Sequence, residues 1–500
     1  MHTRGNAHPQ QQPFAAGPVL GIALATAAVL LAFSGRYGFH RDELYFLLAG
    51  RHLAWGYPDQ PPLTPLLARL GAELFGASPS GLRVLPALLA AVAVALVALI
   101  ARELGAGRGG QLVAAAAAAC SGHLLGNGHL LSTATFDLTA WLAIILLTLR
   151  LLRTGEARWW PLLGLAVGVA ALNKLLVFSL LPALLLGVLT AGPRGLLLPR
   201  PRELLGPLVA VLAACPFAVP VLWWQAAHGW PELTVAHGIS AQQGVGGRLL
   251  LLPMQLLQLS PVLAPLWLTG IGRLWRRAEL RWARPLVVAW AALCLLVLVG
   301  GGKGYYPIPL LFALLAAGCE PFAHWLREHR AKLAAGLLAA LLTSALAALP
   351  VLPASALAVP MAVDPDLGEE VGWPELTAAT AAGWARIPVE QRAQAVLLTA
   401  NYGEAGALAH YGPAYGLPAP YSGHMGLYAW GPPPAGATGP VLLVHPIGYP
   451  WLERYFTDCR QVAQVDNGHG TANMEQHAVI ALCAGPAEPW PALWPQLRRY

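Results

Sequence analysis

The chain has 500 residues, of which 56% are hydrophobic and only 11% charged, with a formal net charge of +7. A soluble protein carries about a quarter charged residues, so this chain cannot cover its surface with polar groups, and a water-soluble globule is excluded. Residues 351–500 hold 6 basic and 12 acidic side chains against 25 and 12 in the rest, so the positive balance is a membrane-topology signal and not a nucleic-acid footprint.

Residues 1–13, rich in Gln, His and Pro, read as a disordered cytoplasmic tail. The apolar blocks that follow are mostly about 15 to 22 residues long, enough to cross a hydrocarbon core of about 30 Å as helices. They predict eleven spans, near residues 14–34, 82–101, 110–121, 132–149, 161–173, 175–191, 204–222, 261–273, 285–299, 307–323 and 333–350. The first is too long, and lacks the small-residue cleavage pattern, to be a removable signal peptide. Alternate connections carry 17 of the 31 basic residues: Arg4, Arg102, Arg108, Arg150, Arg153, Arg158, Arg194, Arg200, Arg202, Arg273, Arg276, Arg277, Arg281, Arg284, Arg327, Arg330 and Lys332. Basic residues are retained on the cytoplasmic side. The N-terminus is therefore expected inside, and residues 351–500 outside a bacterial plasma membrane.

The predicted architecture is an all-α polytopic membrane domain over residues 14–350, with a large first outer loop at 35–81, followed by a small extracytoplasmic α/β domain over 351–500. In the first loop, residues 43–53 have the apolar spacing of a helix lying in the interface. A second outer segment, 223–248, holds Trp223, Trp224, Gln225, His228, Trp230 and His237, and a third, 300–307, reads GGGKGYYP. After 351 the pattern changes to strand-like runs at 395–399, 441–445 and 478–483, with helix-like stretches at 373–385 and 403–411. Cys120, Cys215, Cys294 and Cys319 fall in or beside apolar blocks and read as small core residues. Cys459 and Cys483 fall in the outer domain, where an oxidising compartment permits a disulfide between them.

The polar residues that resist a purely structural account sit in the outer connections. Asp42 and Glu43 lie beside His40 and Arg41 just after the first span; adjacent carboxylates project differently, so one can act as a base while the other binds a metal or orients Arg41. The structural alternative is an ion pair at a helix start. Asp137, near the outer end of an apolar span, costs at least ~2.5 kcal/mol if deep and unpaired; it serves either a helix-to-helix hydrogen bond or a sugar or metal. Lys174 and Lys303 suit a phosphate as point charges, with headgroup snorkelling the alternative. Lys303 has glycines on both sides and Tyr305 and Tyr306 beyond. His228, His237, His123 and His129 lack the tight spacing of a structural zinc site.

These motifs together resemble the family 39 glycosyltransferases of the GT-C fold, the group of protein O-mannosyltransferases and bacterial transferases that use polyprenyl-phosphate sugars. The resemblance rests on an ordered set over about the first 325 residues: FHRDELYF, YPDQPPLTPLL, STATFDL, LNKLL, LWWQAAHGWP and GGKGYYPIPLLFAL. The motifs WPEL near 373, NYGEAGAL near 401 and YSGHMGLYAWGP near 421 look like the tail of a bacterial subgroup. The resemblance implies a polyprenyl-phosphate-sugar donor, membrane lipids as surroundings, and a glycan, lipid or protein acceptor. It implies inverting transfer to an acceptor hydroxyl at the outer face.

By that likeness Asp42 is the general base. Glu43, Arg41, Asp59, Asp137 and His228 help bind substrates, Lys303 and Lys174 neutralise the leaving phosphate, and Tyr305 and Tyr306 offer rings and hydroxyls. Mg²⁺ or Mn²⁺ on Asp42, Glu43 and Asp137 is compatible with the family without being required. Gln60 stands where relatives often have histidine, which weakens a metal there. The rival class is a lipid or sugar transporter or flippase, which calls for interrupted helices at matching positions of two halves.

Overall fold

The computed structural model describes residues 12–193, 205–325 and 327–500. Most of the expected tail, with Arg4, and the basic residues Arg194, Arg200 and Arg202 lie outside the described residues. By compactness the chain forms two units. The first holds residues 1–32, 60–63 and 85–349; the second holds 33–59, 64–84 and 350–500. The first loop, assigned from the sequence to the membrane part, thus packs with the C-terminal residues.

In the first unit every predicted apolar block is helical. Among the described residues six helices are long and apolar enough to cross a membrane: Ala16–Phe33, Pro79–Glu103, Thr133–Thr154, Leu205–Ala227, Ile308–Trp325 and Arg330–Ala348. Leu251–Leu259 and Pro261–Arg276 form one further pair bent by 90°. At the break Ser260 has φ +97°, and Pro261 supplies no N–H to continue the first helix. Trp159–Ala171, Val177–Ala191 and Pro285–Gly300 are shorter apolar helices, and the block expected at 110–121 is the 12-residue helix Arg108–Ala119.

With lipid outside, helices gain little from hiding apolar side chains and associate through close backbone contact instead. Gly270 and Gly318 show this: a Cβ on either would strike a carbonyl of the facing helix, Leu314 O or Leu266 O. Segment 223–248, expected as an outer connection, is largely helical: Leu205–Ala227 carries Trp223 to Gln225, and Pro231–Leu249 follows as two helical pieces kinked at Gly244, whose backbone is non-helical. Pro231 starts that second helix, a position where its missing N–H costs nothing.

In the second unit the first loop supplies the helices Arg41–Arg51 and Leu63–Phe75 and the short turn of helix Pro79–Leu82. The C-terminal residues form a five-stranded sheet from β1 (Val396–Thr399), β2 (Tyr421–Ser422), β3 (Val441–His445), β5 (Arg460–Gln464) and β6 (Val479–Cys483), ordered β2-β1-β3-β6-β5. β1 runs parallel to β2 and β3, and β6 antiparallel to β3 and β5. β4 (Phe456–Thr457) and β7 (Gly485–Pro486) pair separately.

The predicted runs 395–399, 441–445 and 478–483 are β1, β3 and β6, whose residues are nearly all buried. Val396, Leu443, Ala481, Trp490 and Trp494 form their core, and Cys459 and Cys483 are joined by a disulfide. The predicted helices at 373–385 and 403–411 are Trp373–Trp384 and Tyr402–Tyr411. The first-loop helix Arg41–Arg51, expected to lie in the interface, buries Leu44, Tyr45, Phe46, Leu47 and Ala49 and packs on Tyr402–Tyr411.

Candidate active site

Two clusters of polar residues stand out, one in each unit. The first is built on FHRDELYF. His40 Nδ1 accepts the Asp42 N–H at 3.2 Å while Glu43 Oε2 accepts the His40 N–H at 2.9 Å, a reciprocal cap on the helix Arg41–Arg51 that satisfies donors with no partner inside the helix. The cap fixes where the two acids point. Glu43 is turned inward and fully buried; its oxygens accept from Arg83 at 3.0 and 2.7 Å. Arg83 also donates to the carbonyls of Ser34 and Gly38 at 2.8 and 2.9 Å and lies 3.2 Å from Glu370. Glu43 thus ties the start of the helix to Arg83.

Asp42 faces the other way, with 37% of its side chain exposed. Its Oδ1 accepts the Tyr402 hydroxyl at 2.7 Å and lies 3.8 Å from Arg41 Nε. Arg41 donates to the same hydroxyl from Nε at 3.1 Å and from its terminal nitrogen at 2.8 Å, and its other terminal nitrogen is 3.9 Å from Glu369. The Tyr402 ring lies 4.8 Å from Tyr45, whose hydroxyl donates to Asp59 at 2.9 Å. Burial pushes the Asp59 carboxyl up to about 7, with the bond from Tyr45 opposing and the Asp42 charge adding to the rise. One acid of this set is therefore poised to hold a proton near neutrality.

The second cluster gathers three loops of the first unit. Asn173 donates to the Thr133 carbonyl at 2.8 Å, and Leu63 donates from its N–H to Leu172 at 2.9 Å. The LNKLL turn is thereby tied to the start of the Asp137 helix and to the end of the PDQPPL segment. Lys174 Nζ sits 5.0 Å from the Tyr306 ring centre and 5.6 Å from that of Tyr305, and Lys303 Nζ 6.0 Å from Tyr305. Such contacts hold ammonium groups against the electron-rich faces of the rings. Asp137 and Glu232 act electrostatically on Lys174. Asp137 is buried, and its Oδ1 has no hydrogen-bond partner among the described residues. His123 lies 6.0 Å from the Tyr305 ring. His228 is exposed, stacked on Trp224 at 4.0 Å with Nδ1 on the Trp224 carbonyl, and His237 is exposed in the next helix.

Sequence reasoning passed over Tyr402, His424, Tyr45 and Arg83. The signals for the first two are the NYGEAGAL and YSGHMGLYAWGP motifs, which carry no chemistry until the fold sets them beside Asp42. A metal finds little here: among the described residues no group of three or more His, Cys, Asp and Glu could hold one, and Arg83 takes both oxygens of Glu43.

Residues 59–224 match the family model described as dolichyl-phosphate-mannose-protein mannosyltransferase. No curated protein sequence matches the chain. Among solved structures the chain is similar to ArnT from Cupriavidus metallidurans bound to undecaprenyl phosphate, at TM-score 0.57 and 15% identity over 93% of this chain and 98% of that one. It is similar to the same protein in the apo state at TM-score 0.58 and 15% identity, covering 93% and 97%. The chain is therefore a multi-pass membrane protein with the ArnT-like GT-C fold, and the family-model match is confined to residues 59–224.

Proposed function

We propose that the chain is an inverting glycosyltransferase, moving a sugar from a polyprenyl-phosphate donor to an acceptor hydroxyl at the outer face of the plasma membrane. The observation that carries this reading is Asp42, a partly exposed carboxylate held by a tyrosine hydroxyl at 2.7 Å beside Arg41, at the position where the family resemblance puts the base. The family match over 59–224 and the undecaprenyl phosphate bound by ArnT support the donor class.

In the reaction the acceptor oxygen attacks the anomeric carbon as the carbon–oxygen bond to phosphate breaks. Asp42 takes the acceptor's proton. Polyprenyl phosphate leaves with the bond's electron pair, and by the family resemblance the charge that develops on it falls to Lys174 and Lys303. A polyprenyl tail, worth ~0.8 kcal/mol per buried CH₂, keeps the donor in lipid with its phosphate at the interface.

Radiolabelled undecaprenyl-phosphate hexoses and pentoses, offered to the full chain in proteoliposomes with total envelope extract as acceptor, test the assignment. At least one donor should release undecaprenyl phosphate with the native protein and none with Asp42→Asn. Near-native turnover by that folded variant rules out the base. The transporter reading calls for interrupted helices in matching halves, and among the described residues there is a single bent pair.

A further inference from the structure

The reaction just described uses no residue beyond 350, yet the hydrogen bond on Asp42 Oδ1 comes from Tyr402. Two N–H groups of Arg41 donate into the Tyr402 oxygen. A phenol has a single proton to give, and here it is committed to Asp42.

The ring has little freedom to carry that proton elsewhere. It lies between Tyr45 at 4.8 Å and His424 at 5.1 Å, the latter nearly parallel at 8°. The Tyr402 N–H donates to His424 Nδ1 at 3.2 Å, which requires that nitrogen to be unprotonated; burial, with Arg499 and Arg41, holds the imidazole down at about 3. The helix start is fixed by Asn401, whose Oδ1 accepts the Glu404 N–H at 2.9 Å while Glu404 Oε2 accepts the Asn401 N–H at 2.9 Å. The helix itself lies against Arg41–Arg51 at two glycines. A Cβ on Gly406 would come within 2.7 Å of the Leu44 carbonyl carbon, and one on Gly403 within 3.1 Å of the Arg41 Cβ. The charged and titratable groups around Asp42 include Arg41 on its own helix, Tyr402, Asp59, and Glu369 through Arg41.

We infer that Tyr402 is a positioning residue for the transfer: its hydroxyl, fixed by Arg41 and by the two rings that flank it, aims the Asp42 carboxylate at the acceptor's proton. The C-terminal residues thereby complete the setting of a base that belongs to the first loop. This rests on the assignment of Asp42 as the base.

Tyr402→Phe keeps the ring and removes only the hydroxyl. With the donor that turns over in the proteoliposome assay, kcat is expected to fall roughly 10- to 100-fold, the scale of a misplaced catalytic group, while KM for the donor stays within about 2-fold on the same argument. A second arm is independent of activity: melting temperatures of Asp42→Asn, Tyr402→Phe and the double variant. Shifts of the double variant smaller than the sum of the singles show the hydroxyl and carboxylate acting together; additive shifts overturn the inference. Arg41→Lys, which keeps the charge but loses the fork on the hydroxyl, should show the same kcat loss in milder form, and it serves if Tyr402→Phe fails to fold. Native kcat in Tyr402→Phe with an inactive Asp42→Asn overturns the positioning role and leaves the base assignment standing. Native turnover in Asp42→Asn removes the base assignment and the positioning role together.

Discussion

Replacing Arg83 by Met tests the division of labour between the two adjacent acids. The guanidinium is 1% exposed and joins three stretches of chain: the Ser34 and Gly38 carbonyls, Glu43, and Glu370 at the end of the short helical turn Pro365–Glu370. Met fills most of the space but strands two buried carboxylates, and breaking a buried pair from one side costs about 3–5 kcal/mol. The unit concerned has roughly 200 residues, a size at which each kcal/mol moves Tm by about 2–4 °C. The first melting transition should therefore fall by roughly 6–20 °C, read by scanning fluorimetry in detergent. Glu43→Gln leaves Arg83 with Glu370 and should fall less, while its turnover below the transition stays within about 3-fold of native, as a change outside the chemistry allows. If Glu43→Gln instead melts normally and loses turnover as fully as Asp42→Asn, then Glu43 does chemistry and its assignment as a structural anchor is wrong.

Gly406→Ala forces the helix Tyr402–Tyr411 off the Leu44 backbone; an overpacking cost of about 1–3 kcal/mol should lower Tm by several degrees and reduce kcat as the Tyr402 bond to Asp42 lengthens, and a native Tm with native kcat would show that the helices do not meet this way. Lys174→Ala and Lys303→Ala should each raise KM for the donor more than they lower kcat if the ammonium groups hold phosphate in the ground state as well as in the transition state; unchanged kinetics in both variants removes phosphate binding from this cluster. Glu475, buried against Glu404, has its carboxyl pushed up to about 7, by burial first and by the Glu369 charge, with bonds from Asn401 and Glu404 and the Arg41 charge opposing. The folded state then binds more protons than the unfolded one between the ordinary 4.5 and about 7, so stability is greatest below that window and falls as pH rises through it, by on the order of 3 kcal/mol. Glu475→Gln should flatten this fall in Tm between pH 4.5 and 7, and an equally steep fall in the variant means the dyad does not carry it.

What the sequence discloses follows from how local each cause is. Lipid-scale hydrophobicity is a property of a run of residues, so each of the eleven apolar blocks is a helix. How many cross is set by length and bending, as the 12-residue Arg108–Ala119 and the break at Ser260 show. β1, β3 and β6 are legible because strands buried on both faces read as unbroken apolar runs. β5 is not, because as an edge strand it reads Arg-Gln-Val-Ala-Gln with only Val462 buried. The helix Pro231–Leu249, with glycines at 238, 244, 246 and 247, carries too little apolar periodicity to announce itself. In the two clusters, FHRDELYF points to Asp42, and LNKLL and GGKGYYP point to Lys174 and Lys303, as residue types in a setting. Tyr402 could not be read this way, because nothing within reach of it along the chain requires a phenol.

The acidic pair shows why a motif identifies a place sooner than a residue. Successive side chains on a helix are about 100° apart, so Asp42 and Glu43 could not both face one ligand once the helix formed. The cap decides between them. Glu43 occupies the third helical position, where its carboxylate closes back on the His40 N–H, and in doing so it is carried inward to Arg83. Asp42, one position earlier, is left on the side where Tyr402 arrives from the C-terminal part of the chain. The longer acid reaches the buried arginine and the shorter one stays beside the surface. The order Asp-Glu, read with the capping residue before it and Arg83 40 residues after Glu43, therefore contains a division between a buried anchor and a surface carboxylate, the base proposed above, that the two acids alone do not express.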